Sequence, residues 1–186
     1  MKLYFATGNS GKARHASEIL GKRFEVDQLD IETVEYQSMT IEEIAESKLK
    51  QAFEKSGKTQ DSFLIADDSG LFVDSLNGFP GPLSAPFDSM VGKERLLDLV
   101  DEGARAEFRA AVALYNPQRD QIEVFTGSSE GEIVQPRGED GFGYDPLFMP
   151  EGNDKTWGED PEYKNQVSHR KEALEKLRKY IQELEN

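Results

Sequence analysis

The most constraining stretch of the chain is Phe63-Leu64-Ile65-Ala66, four apolar residues that stop abruptly at Asp67-Asp68-Ser69-Gly70. A run this short and wholly apolar reads as a buried strand, and the acidic pair then sits at its carboxyl end. Leu3 to Ala6 is a second apolar run. It is closed by Thr7-Gly8-Asn9-Ser10-Gly11, after which Ala13, Ala16, Ile19 and Leu20 recur at helical spacing, so the unit is strand, glycine loop, helix. Thr40 and Glu43 read as a capping box before the apolar stripe Ile41, Ile44, Ala45, Leu49, Ala52 and Phe53. Phe108, Ala110, Val112 and Leu114 alternate, Asn116-Pro117 breaks the run, and Ile122, Val124 and Thr126 alternate again, which predicts an antiparallel hairpin. Ser168 is placed to cap a last helix lined by Ala173, Leu174, Leu177, Ile181 and Leu184. This mixed order of helices and strands predicts an α/β fold with a mixed sheet.

The 186 residues suffice for a real interior, as one domain or two lobes on one core, and no repeat or linker divides them. A single domain over residues 1–186 is the expectation. The 37% hydrophobic and 10% aromatic content argues against disorder. With no cysteine and two histidines, disulfides, thiolate nucleophiles and three-histidine metal sites are excluded, and any metal must lean on carboxylates. A net charge of −14 disfavours nucleic acid and anionic membranes as partners, but leaves room for a small anion in a local basic pocket. No run reaches the length of a membrane span and the opening residues are too short for a signal core, which predicts a cytoplasmic protein.

Four segments could carry chemistry. In Thr7-Gly8-Asn9-Ser10-Gly11-Lys12, backbone amides, hydroxyls and an ammonium converge where a strand hands over to a helix, which suits an anion. The spacing is not that of a Walker A loop, and the alternative is a helix-capping turn with an exposed lysine. Asp67 and Asp68 repel each other and lose hydration unless a cation sits beside them. Magnesium would serve; neighbouring strand residues point opposite ways, so one of the pair faces the metal directly. The alternative is a turn-forming acidic pair. In Gly138-Glu139-Asp140-Gly141-Phe142-Gly143-Tyr144-Asp145-Pro146, Phe142 or Tyr144 could stack on a base and Asp145 accept from its edge, or the aromatics could simply plug the core. Lys164 with Ser168-His169-Arg170 places positive donors at a helix start, which again favours an anion. His169 alone would read as a partly buried hydrogen-bonding residue, and His15 as a surface residue on the first helix.

Together with Val34-Glu35-Tyr36-Gln37 and Gly78-Phe79-Pro80-Gly81-Pro82, these motifs resemble, in order and along nearly the whole chain, the inosine/xanthosine triphosphate pyrophosphatase family. The resemblance implies a homodimer with an elongated mixed sheet and helices forming two lobes around a central nucleotide-binding cleft. It implies hydrolysis of non-canonical purine nucleoside triphosphates (ITP, dITP, XTP) to monophosphate and pyrophosphate. Carried over by position, Thr7, Gly8, Asn9, Ser10, Gly11 and Lys12 would hold the triphosphate. Glu35 and Asp68 would bind magnesium, Asp67 would support that site, and Asp68 is the family's proposed proton acceptor. Ser69, Phe142, Gly143, Tyr144, Asp145, Lys164, His169 and Arg170 would bind the nucleotide, with Phe142 on the purine.

Physical reasoning refines two of these roles. Metal binding lowers a carboxylate's pKa, so Asp68 would orient a metal-activated water rather than remove its proton unaided. Inosine and xanthosine carry a 6-oxo acceptor where adenosine carries an amine, so donors from His169 and Arg170 would reject ATP by leaving buried donors facing each other. The chain departs from the family pattern at Leu83-Ser84-Ala85-Pro86-Phe87, where Pro86 would alter the local path, and at Trp157-Gly158-Glu159-Asp160, one residue short before Lys164. Two rivals remain: a Maf-like pyrophosphatase with another base preference, and a sensor that binds triphosphates without cleaving them.

Overall fold

The computed structural model describes residues 2–21, 23–34, 36–56, 62–139 and 141–184. Seven strands and five α-helices alternate along these residues: β1 (Lys2–Ala6), α1 (Ser10–Leu20), β2 (Glu25–Leu29), α2 (Ile41–Ser56), β3 (Phe63–Val73), β4 (Pro80–Gly81), α3 (Ser84–Val91), β5 (Ala104–Asn116), β6 (Gln121–Ile133), β7 (Phe148–Pro150), α4 (Pro161–Val167) and α5 (His169–Leu184). The sheet order is β2-β1-β3-β5-β6-β7, with β4 on β3. Strand β1 runs parallel to β2 and β3, while β4 and β7 pair antiparallel with β3 and β6, so the sheet is mixed as the sequence predicts.

The chain divides into two compact units. The first is Met1–Asp68, Ala110–Gly127 and Arg170–Asn186. Its core joins Leu3 and Phe5 of β1, Ala13, Ala16 and Leu20 of α1, Phe63 and Ile65 of β3, Val112 and Leu114 of β5, and the predicted α5 stripe through Ile181. In β5 the expected alternation is overlaid by burial of every residue from Ala110 to Asn116, with alanines where two-sided packing leaves little room. The predicted stripe of α2 is buried except for half-buried Phe53, whose ring meets Tyr115 at 4.5 Å. The capping box is not the one expected: the Thr40 amide goes to Ser38 Oγ, and that hydroxyl donates to Glu43 at 2.5 Å. His15 is half-buried rather than on the surface.

The second unit is Ser69–Arg109 and Ser128–His169, with a core of Leu71, Val73, Leu96, Phe108, Ile133, Tyr144, Leu147, Phe148 and Trp157. Both departures from the family pattern find a place here. Leu83-Ser84-Ala85-Pro86-Phe87 opens α3, and Pro86 falls in the first turn, where the missing N–H has no intrahelical partner to lose. Ser84 is buried, its Oγ donating to Gly81 O at 2.6 Å and accepting from Leu71 N at 2.9 Å. Trp157 enters the core, and Asp160 caps α4 by accepting from Tyr163 N at 2.9 Å.

Candidate active site

The acidic pair does not end its strand. β3 continues through Asp67 and Asp68 to Val73, because cations remote in sequence neutralise both carboxylates and remove the cost of carrying them in extended, buried backbone. Alternation sends the two side chains to different partners. Asp67 Oδ1 accepts from Lys12 Nζ at 2.9 Å and Oδ2 from Arg170 Nε at 2.9 Å. Asp68 Oδ1 accepts from Lys48 Nζ at 2.7 Å, while its buried Oδ2 has no hydrogen-bond partner among the described residues.

These environments push the two carboxyls apart. Burial alone would raise Asp67, but the charges of Lys12 and Arg170 outweigh it and hold the group well below the usual carboxylate range. Asp68 is pushed up, because burial outweighs the ammonium of Lys48, and Asp67 adds a like charge that Lys12 only partly offsets. Lys12 is lowered by burial, with Arg170 and Lys48 acting in the same direction and Asp67 against it.

The loop before α1 is rigidly built. Thr7 Oγ1 accepts from Asn9 N at 3.1 Å, and Asn9 Oδ1 caps the helix by accepting from Lys12 N at 3.2 Å. Gln28 Nε2 and the Leu29 carbonyl anchor the Thr7 backbone at 2.8 and 3.1 Å. The side chain of Asn9 is thus used in capping, while Ser10 and Gly11 lie in the first turn, whose amides have no intrahelical acceptor. Lys12 is not the exposed lysine of the simpler reading but reaches the Asp67 carboxylate. The first unit therefore gathers Lys12, Asp67, Asp68 and Arg170 from the predicted set and adds Lys48. Glu35 lies outside the described residues.

The second unit gathers another group. Asp145, buried in the 3₁₀ turn Asp145–Leu147, accepts at Oδ2 from Lys164 Nζ at 2.5 Å and from Phe142 N at 2.7 Å. Gly141 has φ +102°, and a Cβ there would meet the Asp145 side chain at 2.7 Å, so only glycine lets the loop fold over this carboxylate. Tyr144 plugs the core and donates its hydroxyl to Ser84 O at 2.8 Å; burial, then the charge of Asp88, pushes its pKa up. Phe142 is 72% exposed, an open ring beside Gly143. Lys164 stands on α4, and buried His169 opens α5. Ser69 is half-buried on β3.

Lys48 is the site residue that sequence reasoning missed. Its signal was present: Ile44, Lys48 and Ala52 are four residues apart, which puts a lysine in the middle of a buried helical line. Such a lysine requires a carboxylate partner.

A mixed α/β fold that sets cation-neutralised carboxylates beside a capped helix N-terminus defines a protein of phosphate chemistry. The chain belongs to the Ham1 family, whose model matches residues 3–180. It is 43% identical to the dITP/XTP pyrophosphatase of Methanopyrus kandleri, over 95% of this chain and 94% of that one. It is 39% identical to that of Thermococcus kodakarensis over 98% of each. A solved HAM1 protein from Coxiella burnetii superimposes with a TM-score of 0.83 at 31% identity, covering 98% of this chain and 99% of the other.

Proposed function

We propose that the protein hydrolyses non-canonical purine nucleoside triphosphates, dITP, XTP and ITP, to the monophosphate and pyrophosphate, with the whole chain acting as one pyrophosphatase domain. The observation that carries this reading is the convergence of Lys12, Lys48 and Arg170 on the buried Asp67-Asp68 pair. Its support is the full-length similarity to proteins named for that activity.

In this reading the amides of Ser10 and Gly11 in the first turn of α1 and the three cations bind the phosphate oxygens and stabilise the charge that develops as the anhydride breaks. Water adds to the first phosphorus, the bond to the bridging oxygen breaks, and pyrophosphate leaves. Asp67, clamped at both oxygens, stays ionised and fixes Lys12 and Arg170. Asp68, with Oδ1 on Lys48, uses Oδ2 to orient the attacking water. The same Oδ2, buried without a hydrogen-bond partner among the described residues and in surroundings that penalise its charge, fits a divalent cation. Asp68 with Glu35 would hold magnesium, which when bound supplies further charge neutralisation on the phosphates. In the second unit Phe142 would stack on the base, and Lys164 and His169 would address its polar edge.

The test is pyrophosphate release from dITP, XTP, ITP, GTP, ATP and TTP, with and without magnesium, for wild type and Asp68→Asn. Turnover confined to the first three, abolished by EDTA and reduced at least about 100-fold in the variant, is the expected result. Near-normal turnover of Asp68→Asn would sink the assignment. Tight binding without hydrolysis would point to a sensor, and a preference for TTP to a Maf-like enzyme.

The same reading makes the protein a cytoplasmic homodimer whose small-molecule partner is the nucleotide. Its support is the exposed apolar set Phe79, Leu83, Met90 and Val91 on and before α3. Sedimentation at the mass of two chains is expected, and a monomer at assay concentration overturns it.

A further inference from the structure

The single tryptophan, Trp157, is fully buried, and two residues of the second-unit group, His169 and Lys164, lie against its ring. Its ring stacks with His169 at 5.7 Å and 19°, and both stack on Phe108, each at 5.0 Å. Phe108 lies 12° from the plane of the imidazole, and Phe148 packs against both other rings, 4.7 Å from Trp157 and 4.8 Å from Phe108. Lys164 Nζ stands 5.4 Å from the centre of the Trp157 ring while it pairs with Asp145. The next amide, Gly158 N, donates to Asp145 O at 3.0 Å.

From this geometry we infer that Trp157 and Phe108 are positioning residues for base selection: a rigid aromatic platform that fixes the imidazole plane of His169 and the ammonium of Lys164. The inference rests on the proposed reaction and adds to it the residues that set its selectivity. A histidine at the start of a helix keeps freedom about two side-chain torsions. A flat face against two rings removes the rotation about its last torsion, leaving the ring nitrogens only one direction in which to offer a hydrogen bond. The ring face of Trp157 restrains Lys164 as well, adding a second attraction to the one its ammonium has for Asp145. Discrimination between a 6-oxo and a 6-amino purine depends on donors held where the wrong base cannot be accommodated by a small rotation. Loosening the platform therefore lets ATP be tolerated before it disables hydrolysis.

The test compares kcat/KM for dITP with that for dATP in wild type, Trp157→Leu, Trp157→Phe and Phe108→Met. Phe108→Met keeps volume while removing a flat ring, so it carries the test if Trp157→Leu does not fold. The dITP/dATP ratio should fall about tenfold or more in Trp157→Leu and Phe108→Met, mainly through a rise in the dATP value, and stay within about threefold of wild type in Trp157→Phe. A merely structural role would depress both substrates equally, leave the ratio unchanged and overturn the inference. If wild type cleaves neither nucleotide, the proposed reaction fails and this inference with it. If wild type discriminates and Phe108→Met discriminates as well, only this inference fails.

Discussion

Lys48 shows how a single side chain ties stability to chemistry. Its ammonium pairs with Asp68 at 2.7 Å, and the carboxylate it meets is buried. Replacing it with methionine keeps the stem and removes the charge, so a buried carboxylate loses its partner. Lys48→Met should cost about 1–3 kcal/mol of stability, because a desolvated charge left unpaired is more expensive than the pair was stabilising. It should also raise the KM for dITP about tenfold or more, since in the proposed reaction the same ammonium serves the phosphates. Thermal melts and steady-state kinetics on one preparation check both effects, and Lys48→Arg should restore stability more fully than KM. A variant with lowered stability and unchanged KM would confine Lys48 to a structural role.

At the scale of elements, β3 links fold and site. Gly70 follows the acidic pair, and a Cβ there would stand 2.1 Å from the Gly81 carbonyl oxygen, so the glycine is what lets β4 close on β3. Gly70→Ala should lower stability by about 2–4 kcal/mol, seen as a lower urea midpoint with an unchanged slope. A loss below about 0.5 kcal/mol would mean that the two strands separate without strain. The length of β3 is also where local reading met its limit. The start of the strand was legible because four apolar residues in a row admit little else, but Asp-Asp-Ser-Gly has the composition of a stop. What keeps the strand going is 55 residues upstream at Lys12 and 103 downstream at Arg170, a distance no window can span. The helices α1, α2 and α5 were legible because each carries its own apolar stripe. By contrast, α3 and α4 were not, because the first is short and begins in Leu-Ser-Ala-Pro and the second buries no residue of its own. Among the site residues, the need of the acidic pair for a neighbouring cation followed from charge, but that Lys12 supplies it to Asp67 did not, whereas the capping use of Asn9 and the core burial of Tyr144 were the plainer alternatives and are what these side chains do.

Over the whole molecule two electrostatic scales oppose each other. The chain carries −14, a charge that repels itself in the folded state and repels a polyphosphate approaching from solution. Within the first unit, Lys12, Lys48 and Arg170 are gathered around two carboxylates, so attraction for an anion is local and works at short range. Salt acts on both terms, but not in the same direction for fold and ligand. Raising KCl from about 0.05 M to about 1 M shortens the screening length from more than 10 Å to about 3 Å. Self-repulsion spread over the surface is then removed, and the unfolding temperature should rise. The proposed contacts between these half-buried cations and the triphosphate are screened less than surface charges, but the free nucleotide and the cluster both gain competing counterions. The KM for dITP should therefore rise several-fold while kcat stays nearly constant. Melting curves and initial rates across the same salt series check the pair of trends. If KM fell with salt instead, repulsion by the acidic surface would govern capture of the substrate, and the cation cluster could not be its principal source of affinity.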